Sequence, residues 1–597
     1  MDAFELPPLV ISDPNSNITD LLVDRAAKTP LLPLFALTAD KGFSNVTATD
    51  FLNEVRALAK GLIATGIQPS QAVAIMSRTR YEWTLMDFAI WFAGGVTVPI
   101  YETSSASQME WILSDSDSVA LFTETNEHVQ RFEQIKASVP LVRTVMTFDN
   151  GDLAELKRRG KEVSDELVEQ RRKISKLHEL ATIIYTSGTT GKPKGCELSH
   201  RGFVELSKNA TLDLSDVVVE GRSTVLFLPL AHVFARFVEV LCVHGGIRVA
   251  FQPDTTKVAT TFEAFKPEFI LAVPRVFEKV YNSAEQKAEA GGKGEIFRKA
   301  AAVAIAWSEA LDTKQGPSTK LALQHFVFDK LVYKKIRSAM GGKLQYVISG
   351  GAPLGTRLGH FFRAIGVIVL EGYGLTETTA PATISRPATL KIGKVGQPLP
   401  GTGVKIAADG EIWTNGHNTM LGYWRNDKAT AEVMSDGWFA TGDIGTLDSD
   451  GYLAITGRKK ELLVTAGGKN VAPAILEDPL RSHPIIGQAV VIGDNLPFVS
   501  ALISLDPEML PVWLKNHGGD NTISVAEAAK LPLVIAAVQK AIDEVNNHVS
   551  KAESIRKFVI IDSELSEASG HLTPSMKIKR NVVVADFADA VDEIYNR

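Results

Sequence analysis

The sequence predicts an α/β protein. It should comprise a large N-terminal domain with parallel-rich sheets and helices, a small antiparallel β subdomain within it, and a small α+β C-terminal domain. Three observations carry this expectation. Strand-like apolar runs alternate with helical spacing over most of the chain, hairpin signals replace the helices near residue 393, and a third texture begins near residue 457. At 597 residues the chain exceeds what one hydrophobic core usually serves, so several domains are expected.

Phe51, Val55, Leu58 and Leu62 recur at helical spacing, and residues 72–76 form an unbroken apolar run, the mark of a buried strand. The same alternation returns at 118–123, 181–185, 223–227, 269–272 and 344–349. Strands separated by helices imply parallel pairing, because a parallel connection must cross over its sheet. Two helices are expected over 295–340. Ile296, Ala300, Val303, Trp307 and Leu311 share one face of the first. Phe326, Val327, Lys330, Leu331, Lys334, Lys335 and Arg337 lie in the second, which therefore carries a basic edge. A basic amphipathic helix can lie on an anionic membrane. The reading favoured from sequence is a solvated basic face with its apolar back against the core. Short strands at 404–407, 411–414 and 452–455 are punctuated by Asp409-Gly410 and Asp450-Gly451, and Asp-Gly marks hairpins. Residues 393–456 thus read as the β-rich part of a domain spanning 1–456. The remainder, 457–597, holds strands at 488–492, 500–504 and 557–561. It also holds a helix at 532–549, with Pro532 in its first turn, and a terminal helix.

Composition narrows the function. Hydrophobic residues at 45% and charged residues at 22% are those of an ordinary soluble globular protein. A net charge of -6 gives no general pull toward nucleic acid, and no nucleic-acid partner is expected. Two cysteines, Cys196 and Cys242, supply neither a disulfide framework nor a metal cluster and suit a reducing, cytoplasmic setting. Met1 to Glu5 has neither a basic nor an apolar leader region, so no signal peptide is expected. The apolar stretches 84–100 and 237–251 are broken by Asp87 and by Glu239, His244 and Arg248. They are too short to span a bilayer and read as core.

The chemistry concentrates in Tyr185-Thr-Ser-Gly-Thr-Thr-Gly-Lys-Pro-Lys-Gly195. A strand that opens into a Gly/Ser/Thr loop offers backbone N–H groups and hydroxyls to an anion. Glycine lets the backbone come close to a phosphate, and Lys192 and Lys194 add charge. The spacing is not that of a Walker A loop, which needs four residues between its glycines and Ser or Thr after Lys. A flexible surface linker is the plainer alternative. Further dense segments follow in order: Ser349-Gly-Gly-Ala-Pro-Leu354, Glu371-Gly-Tyr-Gly-Leu-Thr-Glu377, Thr441-Gly-Asp443, Gly457-Arg-Lys-Lys-Glu461 and Leu572-Thr-Pro-Ser-Met-Lys-Ile-Lys-Arg580. Each alone could be a turn or a cap.

Together, in this order, the segments resemble the adenylate-forming (acyl-activating) enzyme superfamily over nearly the whole chain. The segments Leu271-Ala-Val-Pro-Arg-Val-Phe277, Phe328-Asp-Lys-Leu-Val332 and the ending at Lys577 resemble its long-chain fatty acyl-CoA synthetase branch, bacterial type. Met576 stands where many relatives have Gly before the terminal Lys. The resemblance implies ATP- and Mg²⁺-dependent ligation of a long-chain fatty acid to CoA through acyl-AMP, with release of AMP and pyrophosphate. Two alternatives are an acyl-AMP ligase loading a carrier protein and a non-catalytic lipid- or nucleotide-binding relative. It also implies roles for individual residues. Thr186, Ser187, Gly188, Thr189, Thr190, Gly191 and Lys194 would hold the β/γ-phosphates. Glu377 and Thr186 would hold Mg²⁺. Tyr373 would stack on adenine, within an ATP site that takes in Glu371, Gly372 and Gly374. Gly351 and Ala352 would line the junction of adenine and acyl group, and Thr376 would touch the α-phosphate. Asp443 would accept from the ribose hydroxyls with Arg458 donating nearby. Lys577, with Glu377 and Thr376, would be catalytic. His232, Gly350 and Gly351 would face the acyl group, although a histidine beside Phe234 and Phe237 is equally an ordinary core residue. Gly467, Gly468 and Lys469 would border the CoA channel, and Lys460 would be the hinge of a mobile C-terminal domain. The partners implied are the fatty acid, ATP and CoA. Peripheral contact at the inner face of the membrane and a homodimer stay open.

Overall fold

The computed structural model describes residues 3–186, 192–573 and 577–595. Its largest sheet has seven strands, in the order Gly422–Tyr423, Lys194–Ser199, Leu180–Thr186, Val96–Ile100, Ala72–Met76, Ala120–Thr123, Thr144–Thr147. From Leu180–Thr186 outward to Thr144–Thr147 the pairings are parallel. The other two strands join antiparallel. Ala72–Met76 and Val96–Ile100 are buried at every position. The Tyr81–Phe92 helix that connects them buries all its residues except Glu82. Burial on both faces is why these runs are apolar throughout and do not alternate.

A second sheet runs Phe269–Ala272, Tyr346–Ser349, Ile368–Leu375, Ala380–Ile384, Gln397–Pro398, parallel at first and antiparallel after Ile368–Leu375. A four-stranded sheet (Ser223–Leu226, Arg248–Phe251, Pro33–Thr38, Phe43–Thr47) mixes both pairings. The antiparallel subdomain pairs Thr402–Ile406, Glu411–Gly416, Trp438–Leu447 and Leu453–Arg458, and Ala3–Glu5 joins its edge. The strand Leu453–Arg458 runs through the expected division at 456/457: Gly457 and Arg458 still pair with Ile444 and Asp443. The last part is an α+β unit with the sheet Ile486–Ile492, Val499–Leu505, Ile555–Ile560 and the Pro532–Asn546 helix.

Of the charges that break the apolar stretches, Asp87 is fully buried and engaged. Arg236 pairs with Asp87 at 2.6 Å, both fully inaccessible, and donates to Thr182 at 2.5 Å. Beside them, burial and the Asp87 charge push the Glu239 carboxyl well above the usual carboxylate range. No helix among the described residues is long and apolar enough to cross a membrane.

Two expectations for 295–340 are corrected. The Gly294–Leu311 helix buries Phe297, Ala300, Ala301, Ala304 and Ser308, whereas Ile296 and Leu311 are exposed. Its small alanines take the buried face, against neighbours that include the Thr356–Ala364 helix, and Ile296 and Leu311 are left outside. The second helix is two helices, Thr319–Phe328 and Lys334–Ala339, joined by a π turn at Asp329–Tyr333. Its apolar residues Phe326, Val327 and Leu331 face outward, not toward the core.

The C-terminal unit docks at two places. Arg275, in the Pro274–Ala290 helix, pairs with Asp506 and donates to the Arg481 carbonyl. At the other end the Thr103 hydroxyl donates to Glu567 at 2.6 Å.

Candidate active site

The Gly/Ser/Thr loop is the connection of a β hairpin. Thr186 ends one strand, Lys194 begins the next, and the two are direct partners. Ser187, Gly188, Thr189, Thr190 and Gly191 lie outside the described residues. Lys192 sits over the Trp111 ring, 4.1 Å from its centre. Lys194 lies 4.8 Å from the centre of the Tyr423 ring.

Tyr423 is a residue that sequence reasoning missed. Its strand pairs with Lys194–Ser199, placing it across from Cys196. Its hydroxyl donates to Glu377 Oε1 at 2.9 Å. Burial and the Glu377 charge raise the pKa of this phenol, so it stays a donor. Thr186 Oγ1 lies 3.9 Å from Cys196 Sγ, and burial and the Glu377 carboxylate push that thiol up. Thr186, Cys196, Tyr423 and Glu377 therefore form one cluster. Its oxygen groups suit a hard cation such as Mg²⁺, which keeps waters and phosphate oxygens and needs only one or two protein ligands. No group of three or more His, Cys, Asp or Glu among the described residues could hold a metal by itself.

Glu377 sits in a single turn, Thr376–Thr378, directly after the Ile368–Leu375 strand. Upstream, Glu371 accepts from the Leu354 N–H at 3.0 Å and so ties this strand to the loop holding Gly350, Gly351 and Ala352. Burial raises the Glu371 carboxyl. Glycine is required where backbones crowd: a Cβ on Gly374 would lie 2.0 Å from the Ala380 carbonyl oxygen. A Cβ on Gly350 would lie 2.9 Å from the Phe234 ring. Gly372 pairs with Ile384 in the next strand.

Asp443 and Arg458 face each other on adjacent strands, with Nε to Oδ1 at 2.9 Å. The second carboxylate oxygen accepts the Tyr373 hydroxyl at 2.7 Å. The Tyr373 ring packs in the cluster of Val404, Ile412, Leu447 and Leu453. Burial and Asp443 hold its phenol well above the ordinary range. The expectation for Tyr373 concerned only its ring; the structure also gives its hydroxyl a partner.

Lys577 projects from the far end of the chain into this same region. Its backbone is fixed by Thr573: Lys577 N donates to Thr573 Oγ1 at 3.0 Å, and Thr573 N to the Lys577 carbonyl at 2.8 Å. The intervening Pro574, Ser575 and Met576 lie outside the described residues. Lys577 is exposed to solvent, with many protein atoms around its side chain. Burial and Arg458 lower its pKa, while Asp443, Glu377 and Glu461 oppose that lowering. His232 feels Lys577 in turn: burial, then the Lys577 charge, push its imidazole down to about 4. His232 Nδ1 accepts from Phe234 N at 3.2 Å, capping the Val233–Gly245 helix, so Nε2 carries the proton.

Other expected residues stand apart. Gly467, Gly468 and Lys469 form the exposed tip of a small hairpin between Leu463–Val464 and Asn470–Val471, and Lys469 pairs with Glu553 at 3.2 Å. Lys460 follows the Leu453–Arg458 strand and makes no ion pair among the described residues. Its neighbour Lys459 is held by Asp409 at 2.7 Å and Glu411 at 2.9 Å.

The AMP-binding enzyme family matches residues 23–424, and the AMP-binding enzyme C-terminal domain matches 460–597. Long-chain-fatty-acid–CoA ligase FadD15 of Mycobacterium bovis is 46% identical over 586 residues, covering 98% of each chain. Long-chain-fatty-acid–CoA ligase ACSBG2 of Xenopus laevis is 30% identical, over 94% of this chain and 81% of that one. The fold is shared with O-succinylbenzoate Coenzyme A synthetase of Bacillus subtilis, solved in complex with ATP and magnesium ion. That match has a TM-score of 0.67 at 22% identity, over 94% of this chain and 98% of that one. Both parts of the chain match in order and a relative at 46% identity spans it almost completely, so the chain belongs to the AMP-binding, adenylate-forming enzyme family.

Proposed function

We propose that the protein is a long-chain fatty acid–CoA ligase that works through acyl-AMP. In the first step a carboxylate oxygen attacks the α-phosphorus of ATP. An O–P bond forms, the bond to pyrophosphate breaks, and acyl-AMP results. In the second step the CoA sulfur attacks the acyl carbon, AMP leaves with the electron pair, and the thiol proton passes to solvent.

The obstacle to the first step is repulsion between two anions. Fixed positive charge and positioning must overcome it. Lys577 bridges the carboxylate and the α-phosphate in this reading, and Lys194 with the hairpin loop holds the outer phosphates. Glu377 and Thr186 would hold Mg²⁺, which would supply further charge neutralisation on the phosphates. Tyr423 keeps Glu377 oriented. Asp443 accepts from the ribose hydroxyls, and Arg458 and Tyr373 fix its carboxylate. Thr376 contacts the α-phosphate. His232, neutral at pH 7, adds no charge beside the acyl group. Binding of the ATP polyanion raises the lowered Lys577 pKa again and so favours its charged form.

The second step requires Lys577 to withdraw and the 467–469 hairpin to approach. Lys459 is clamped to the subdomain by Asp409 and Glu411, whereas Lys460 makes no ion pair among the described residues, which supports a rotation just after Lys459. Peripheral contact with a membrane belongs to the same proposal.

The observation that carries this reading is that the charges of Arg458, Asp443 and Glu377, from distant segments, all act on Lys577. The test is pyrophosphate release across a ladder of fatty acids, with and without CoA. The proposal predicts release with long-chain acids, and thioester and AMP only when CoA is added. Acyl-AMP that accumulates unchanged in the presence of CoA refutes the second step.

A further inference from the structure

We propose that the outward face of the 319–339 segment is a docking surface for an anionic lipid bilayer. This rests on the membrane contact included in that reading and names its surface and partner chemistry, from features that lie outside the ligase site.

The segment is held from its inner side. The Tyr333 hydroxyl donates to the Ala300 carbonyl at 2.7 Å. The His325 ring stacks on Trp307 at 4.2 Å, and its Nε2 lies 2.8 Å from the Ala364 carbonyl. Arg337 pairs with Asp329 at 2.6 Å and donates to the Ile365 carbonyl at 2.8 Å. These contacts fix which face looks out. On that face Leu323, Phe326, Val327 and Leu331 are 65%, 56%, 45% and 55% exposed. Single exposed apolar residues are ordinary, but four within one short helical segment are not.

The same face is basic. Lys320, Lys330, Lys334 and Lys335 are exposed, and none of them is in an ion pair among the described residues. Lys330 Nζ lies 4.4 Å from the centre of the Phe326 ring. Lys330, Lys334 and Lys335, with Ser338 and Ala339, line a concavity of about 610 Å³. Glu263 is the acidic residue in that lining, and Asp329 is already tied to Arg337. This cationic patch stands on a chain whose net charge is -6.

A bilayer with anionic headgroups satisfies both features at once. The apolar side chains enter the interfacial layer, and the lysines extend to the phosphates. A second copy of the chain does not fit as well. A two-fold contact would set this patch against itself, lysines facing lysines.

The test is vesicle co-sedimentation of the full chain, without substrate, using phosphatidylcholine vesicles and vesicles containing phosphatidylglycerol. Binding to the anionic vesicles, and release at high salt, is expected. The triple variant K330Q/K334Q/K335Q should bind about a hundredfold less, at about fivefold per lysine. The variant F326S/L331S should also lose binding, and both should keep native melting and pyrophosphate release with a dispersed substrate. Equal binding to neutral vesicles, or anionic binding untouched by either variant, overturns the proposal. A solution dimer that these substitutions dissolve, with no vesicle binding, also overturns it and assigns the face to a second copy. Loss of ligase activity leaves the vesicle result unaffected, so the two readings fail separately.

Discussion

Tyr423→Phe removes one hydroxyl and keeps the ring beneath Lys194. In the structure that hydroxyl donates to Glu377 Oε1 at 2.9 Å. It is a neutral donor on a carboxylate, worth roughly 1.5–3 kcal/mol in a covered setting. Glu377 would keep its charge but lose the contact that sets its orientation. If Glu377 holds Mg²⁺, the cost falls on metal-dependent binding of the phosphates. The expected effect is about a tenfold to hundredfold rise in the Mg²⁺ concentration needed for half-maximal pyrophosphate release. Excess Mg²⁺ should restore much of the rate, and thioester formation from supplied acyl-AMP should be unaffected. The assay is pyrophosphate release against Mg²⁺ at fixed ATP, with thermal melting as the control for folding. An unchanged Mg²⁺ profile in a well-folded variant refutes the role of Tyr423 and weakens the metal assignment of Glu377.

Arg275→Ala severs the contact of the Pro274–Ala290 helix with Asp506 and the Arg481 carbonyl. A partly exposed ion pair is worth on the order of 1 kcal/mol, so adenylation should slow about fivefold while thioester formation from supplied acyl-AMP does not. Equal slowing of both steps argues against a role in poising the C-terminal unit. Burial pushes the imidazoles of His200 and His417 down to about 3 and about 4. Unfolded imidazoles titrate near 6.5. Below that pH the unfolded chain binds protons that the folded chain does not. Stability is therefore intact above pH 6.5 and falls as pH drops toward the folded values, by ~1.4 kcal/mol per pH unit for each. Urea midpoints between pH 7 and pH 5 should show this slope, and H200Q should reduce it. An identical slope in that variant contradicts the assignment.

Much of the fold was legible because its central strands are buried on both faces and read as continuous apolar runs, as at Ala72–Met76 and Phe269–Ala272. Asp-Gly pairs located the antiparallel part, since those turns fix their own backbone geometry. The faces of the 294–339 helices were not legible. Contact there is decided by small residues such as Ala300 and Ala304, and by polar anchors such as His325 and Tyr333, which hydrophobic periodicity does not weigh. The site divides in the same way. Its loops announced themselves by dense Gly, Ser, Thr and Lys. The hydroxyls of Tyr373 and Tyr423 did not, because their carboxylate partners lie 70 and 46 residues away. The Arg236–Asp87 pair was hidden for the same reason: Asp87 looked like a flaw in an apolar run, and its partner lies 149 residues away.

The most direct measurement is acyl-AMP formation by Lys577→Ala, followed as pyrophosphate release, beside thioester formation from supplied acyl-AMP and CoA. Loss of a charged donor aimed at the reacting phosphate costs about 3 kcal/mol, so adenylation should fall at least about a hundredfold. The thioester step should persist. Adenylation at the native rate in a folded variant would contradict the placement of the reaction beside Lys577.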